Sequence, residues 1–372
     1  TATLADENPF FKPYETQYGT PPFDKIKIEH YEPAFDEAIR QHKVEIETIA
    51  ANPFAPTFAN TIAAMEYSGE MLNRVSGVFF NLLSAESNDE MMMISQRLSP
   101  KLSEHSNNIN LNEKLFSRVK AVYDNRLTSG LLPEQIRLVE KYYEQFENSG
   151  ATLSAEDKEI YRKLSMELSK VTLDFGQNNL KETNKFEMLL TDKADLAGLP
   201  ESVLDAAVAK AKSKGKEGWM FDLSAPSYIG FMKYSTRRDL REKLYMAYNT
   251  KSVMGGEFDN KENIEKIVNL RLQIANLLGY KNYAEYALKN RMAKNEEGVY
   301  NLLNQLAKAY GETARQEVKD VAEYAAKMEG KPMEIQPWDW SFYSDKLKDE
   351  RFDLNDEMTR PYFELENVKK GV

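Results

Sequence analysis

The sequence predicts a mainly α protein, a multi-helix array with one small β element. Three observations carry this. Apolar residues recur at spacings of three and four over long stretches, helix-stop residues close those stretches, and only two short runs have strand character. A chain of 372 residues with 42% hydrophobic and 29% charged side chains can bury a large core and is too apolar for disorder.

Taken in order, the opening stretch with Pro9, Pro13, Pro21 and Pro22 reads as an extended arm laid on the body. Ser154 with Asp157 begins a capping pattern, and Ile160, Leu164, Leu168, Val171 and Phe175 then share one helical face. The runs FEMLL (186–190) and WMFDL (219–223) suit strands, with a helix started by Pro200 over 200–212 between them. Over 260–278, Ile264, Ile267, Val268, Ile274, Ala275 and Leu278 line one side of a helix that Gly279 stops. The longest signal covers 297–328, where Val299, Leu302, Leu303, Leu306, Tyr310, Val318, Val321, Ala325 and Met328 keep helical spacing until Gly330 and Pro332. Pro337 suits the first position of a further helix, with Asp339 in its first turn. Two regions are expected: 1–150, an arm and helical subdomain, and 151–372, a second helical region carrying the β element.

A net charge of −10 argues against a nucleic-acid binder, which needs a clustered basic face. With no cysteine, disulfides, thiolate catalysis and Cys-ligated zinc are excluded. No apolar run has the length of a membrane span. The histidines, His30, His42 and His105, are never four residues apart, so no helical two-histidine metal clamp can be written, and each reads as a surface or helix-end residue. No P-loop, GxGxxG or GxSxG pattern occurs. Carboxylates number 59, so pairs at helical spacing arise by chance and mark no acid–base dyad. The residues alone therefore assign no catalytic side chain and no metal ligand.

Several stretches are similar to one family. These are HYEPAFDEAI (30–39), NPFAPTFANTIAAMEYSG (52–69), STRRDLREKLYMAYNTKS (235–252), the run 263–303, WDWSFYSDKL (338–347) and RPYFELENVKKGV (360–372). In this order they resemble the thimet oligopeptidase/oligopeptidase A family of zinc metallopeptidases, most of all its bacterial peptidyl-dipeptidase (dipeptidyl carboxypeptidase) branch. The resemblance implies one wall of a deep channel between two helical halves. In that family a His-Glu-x-x-His helix and a later glutamate bind zinc beyond the segment that resembles RPYF, and the chain reaches Val372 before any such motif. The expectation is thus the N-terminal portion of a peptidase that hydrolyses short peptides and releases C-terminal dipeptides, inactive by itself, with zinc bound outside this chain. The alternatives are an endo-acting oligopeptidase of the same family and a non-catalytic helical binding or scaffold protein.

Against that background Trp338, Phe342 and Tyr343 are the candidate site residues, as substrate-channel lining or as a domain interface. Trp338 and Phe342, four apart, share a helical face that calls for a large apolar partner, and apolar exposure is expected around 338–365. Arg238, Arg241 and Glu242 match the family's RxxRE pattern and read as a structural ion-pair network. Expected partners are short peptides and a C-terminal catalytic domain, with no nucleic acid and no transmembrane segment, in a monomer. Location is open between the bacterial periplasm or cell envelope and the cytoplasm.

Overall fold

The computed structural model describes residues 8–353 and 356–371. The chain forms two compact units, Thr1–Gln177 with Glu262–Arg291, and Asn178–Lys261 with Met292–Val372. Both are mainly α, as the apolar spacing predicts.

In the first unit, α1 (Tyr31–Ala50) is followed by a π-helical turn that runs into α2 (Ala64–Glu66), then α3 (Glu70–Ala85), α4 (Asp89–Asn110), α5 (Glu113–Asp124), α6 (Pro133–Asn148) and, as far as Gln177, the long α7 (Ala155–Lys185). Side-chain caps set several of the starts: Asn88 accepts from Met91 N, Asn112 from Leu115 N, and Ser154 from Asp157 N. One core joins α1, α3 and α4 through Phe35, Val75, Phe79, Ile94 and Leu98. The arm contributes Phe10, fully buried there, and Asn8 fastens it by donating to His30 O at 2.9 Å. A second core packs Ile46, Ile62, Leu115, Val119, Val139 and Phe146.

In the second unit, β1 (Met188–Leu190) pairs antiparallel with β2 (Trp219–Phe221), Met188 opposite Phe221 and Leu190 opposite Trp219. Between them in sequence lies α8 (Glu201–Ser213), and beyond them α9 (Ala225–Tyr234) and α10 (Arg238–Asn249). Both strands and the helix between them stand where the sequence placed them. Met188, Leu190, Phe221, Phe231, Met232 and Leu244 form the core of this portion. Gly198 is required there: its φ is +87°, and a Cβ would lie 2.3 Å from Tyr234 O.

The helices α11 (Lys261–Leu277) and α12 (Tyr283–Leu288) belong almost wholly to the first unit, where Ile267 and Leu270 pack on Leu164, Leu168 and Val171 of α7. The second unit ends with α13 (Glu296–Glu329), α14 (Pro337–Phe352), α15 (Asp356–Thr359) and α16 (Leu365–Gly371). Among the described residues no helix is long and apolar enough to cross a membrane.

Candidate functional site

The start of α14 is organised by one carboxylate. Asp339 is fully buried and accepts from the N-cap backbone, Gln336 N, at 3.0 Å. Arg238 Nη2 reaches it at 2.7 Å and Arg241 Nη2 at 3.0 Å, so α10 is bolted to α14. Arg241, itself 1% exposed, also donates to Ser235 O and Trp338 O, so every branch of its guanidinium is engaged. Burial pushes the Asp339 carboxyl up, but the hydrogen bonds from Arg238, Gln336 N and Arg241 together outweigh it and hold it below its usual value. The RxxRE arginines are thus a structural ion-pair network, with their carboxylate on α14.

Trp338, Phe342 and Tyr343 are placed by this anchor. Phe342 and Tyr343 are each 2% exposed and pack with Val321 and Ala325 of α13. The Arg241 guanidinium lies 4.4 Å from the centre of the Phe342 ring. Tyr343 donates to Glu329 at 2.8 Å, and burial with that carboxylate pushes its hydroxyl up to about 12. Trp338 turns instead to the core around the strands, edge-on to Tyr245 at 6.0 Å. The shared face that spacing assigned to Trp338 and Phe342 is therefore split between two cores of the same unit.

Apolar exposure within 338–365 is found as expected, in its later half. Phe352, Tyr362, Phe363 and Leu365 are 65–79% exposed. A second uncovered surface is on α13. Only Val321 and Ala325 of its apolar stripe are buried, while Leu302, Leu303, Leu306, Tyr310 and Val318 stand open on a segment with no buried residue between 299 and 319. Such a free amphipathic helix is normally stabilised by a partner over its apolar stripe. Spacing alone found the stripe and could not say which turns of it the chain itself covers.

His30 is a helix-end residue as read, whereas His42 and His105, inside α1 and α4, depart from the surface or helix-end reading. His30 lies at the start of α1, accepting from Lys27 N at 3.0 Å. His42 and His105, 63 residues apart, meet with Nε2 of His105 3.0 Å from Nδ1 of His42. No sequence signal could have paired them. In the first unit an open groove of about 500 Å³ between α7 and α11 is lined by Glu167, Glu262, Glu265 and Lys266. Among the described residues no three His, Asp or Glu side chains converge as a metal-holding group, so the residues present do not fit a zinc site.

Residues 231–372 match the sequence model of Peptidase family M3. Over 367 residues the chain is 37% identical to a dipeptidyl carboxypeptidase of Escherichia coli (strain K12), which covers 98% of this chain and 54% of that protein. It is 35% identical over 358 residues to an oligopeptidase A of Haemophilus influenzae, covering 95% and 52%. Against the organellar oligopeptidase A of Arabidopsis thaliana the identity is 30% over 379 residues, covering 100% and 48%. The chain spans about half the length of the curated relatives it matches.

Proposed function

With residues 231–372 a Peptidase family M3 domain, we propose that the chain is the N-terminal portion of a zinc metallopeptidase that hydrolyses short peptides, releasing dipeptides from their C-termini. The observation that carries this reading is the 37% identity to a dipeptidyl carboxypeptidase along 98% of the chain. Zinc and the residues that hold it belong to the part of the parent protein outside this chain, where the metal would polarise the scissile carbonyl and activate water. This chain supplies a helical wall. Its acidic groove between α7 and α11 favours cationic peptides modestly, within the reach that salt screening allows.

The parent protein, given peptides with free and with amidated C-termini, tests this. Dipeptide products from the free peptides only, zinc at one per chain and loss of turnover on chelation are expected. Internal cleavage of amidated peptides would instead establish the endo-acting reading, to which the similarity to oligopeptidase A points. The 372-residue chain alone is expected to bind no stoichiometric zinc and to release no product. Chelator-sensitive turnover by it would overturn the placement of zinc outside the chain.

In the same reading, the occupant of the open α13 stripe is the remainder of the parent protein. Replacing Leu303 and Leu306, 52% and 44% exposed, by Gln should change the stability of this chain by no more than about 0.5 kcal/mol in urea denaturation. In the parent the same pair should cost about 2–4 kcal/mol, because there both side chains are buried. Equal effects in the two proteins would sink the docking assignment.

A further inference from the structure

We propose that His42 and His105 form an acid-releasable latch in the first unit, holding α1, α4 and the turn before α3 together only while both imidazoles are neutral. The hydrogen bonds run in one direction. Ser68 Oγ gives its proton to Met65 O at 2.7 Å, so it can only accept at 3.2 Å from His42 Nε2. That fixes the His42 tautomer and leaves its Nδ1 as a lone pair, which accepts from His105 Nε2 at 3.0 Å. A proton added to His42 Nδ1 would set two N–H groups head-on and break the bond between α1 and α4.

The only other vacant position is His105 Nδ1, on a residue 6% exposed, where a charge would be buried with Lys43 of α1 repelling it. The turn has no room to adjust. Gly69 has φ +72°, a Cβ there would lie 2.9 Å from the His42 ring, and its N–H is held by Glu45 at 2.7 Å.

Several other charges on these elements are already engaged. Glu45, the carboxylate that favours a charged His42, is tied to Gly69 N; Lys101 pairs with Asp36 and Arg97 with Glu32 across the same seam; Glu70 faces Arg74 on α3. From α7 come a neutral contact, Asn107 donating to Ser165, and a charged one, Arg162 donating to Asn108 at 2.7 Å.

Burial is the main cause that pushes both imidazoles down, His105 to about 4 with His42 and Lys43 adding to it, and His42 against the opposing pull of Glu45. A histidine held below its unfolded value of about 6.5 stabilises fully above that pH, and the stabilisation is lost as pH falls towards the folded value. His105 alone should therefore lower the folded-to-unfolded ratio roughly 20-fold between pH 7 and pH 5. Carboxylates such as Glu32, held low chiefly by the hydrogen bond from Arg97, act only below about pH 4.3.

Urea denaturation of the 372-residue chain at pH 7 and pH 5, alongside the double variant His42→Gln/His105→Gln, tests the latch. The expected result is the roughly 20-fold loss in the natural sequence and less than threefold in the variant. The same loss in both overturns the proposal. Should the variant fail to fold, histidine-ring NMR of the natural chain decides. The His105 resonances staying neutral down to about pH 5 and those of His42 shifting below the ordinary 6.5, with amide exchange rising in α1 and α4 as they shift, supports the latch; titration of both near pH 6.5 with unchanged exchange overturns it.

Discussion

Replacing Asp339 by alanine is expected to destabilise the second unit by about 3–5 kcal/mol. The cost does not come from losing a surface salt bridge. Arg238 is 47% exposed on its side chain, so its share in water is small. Arg241 decides the outcome, because its side chain is 1% exposed and its guanidinium would stay charged without a counter-ion in a closed site. The N-cap N–H of Gln336 would lose its acceptor in the same step.

The charge dependence follows from the direction of the shift. Asp339 is held below its usual value in the folded chain, so its stabilisation is present above the unfolded value near 3.9 and lost as pH falls through the folded one. Asp339→Asn keeps the shape and an acceptor while removing the charge, and should retain part of the stability that Asp339→Ala loses. Urea denaturation at pH 7 separates the two. A loss under about 1 kcal/mol for Asp339→Ala would mean that the cluster is no more than a surface pair.

Why some of this could be read in the sequence and some could not follows from the range of each interaction. Spacing, caps and stops act within a few residues, so the strands at 188–190 and 219–221, the helix between them and the long helix ending at Gly330 were all legible. The RxxRE arginines could be recognised as a network, but their carboxylate lies 101 residues from Arg238 and 98 from Arg241, beyond any local rule. The same holds for the His42–His105 bond.

The compact units exchange chain after Gln177, inside α7, where helical periodicity continues without a break and local punctuation is absent. A division near 150 follows punctuation; the exchange inside α7 follows tertiary packing. Covered and open turns of one apolar stripe also look alike in sequence, which is why Leu303 and Val321 of α13 carried the same signal and have opposite surroundings.

Phe342→Ala distinguishes packing from channel lining at the aromatic cluster. The side chain is 2% exposed, meets Val321 and Ala325, stands edge-on to Tyr343 at 5.0 Å and lies beneath the Arg241 guanidinium. Truncation leaves a cavity that α13 and α14 cannot close without moving Asp339, so a loss of about 3–5 kcal/mol is expected. Phe342→Leu restores most of the volume and removes only the ring's attraction for Arg241, which leaves a deficit of about 1–2 kcal/mol. The graded series, Ala well below Leu below Phe, is the signature of a buried ring. If Phe342 instead faced peptide in the proposed parent peptidase, the alanine variant would keep its urea midpoint and show a raised KM. Measured side by side, the two quantities assign the residue: the packing seen here requires the midpoint to fall first, with any change in KM following from the displacement of α14.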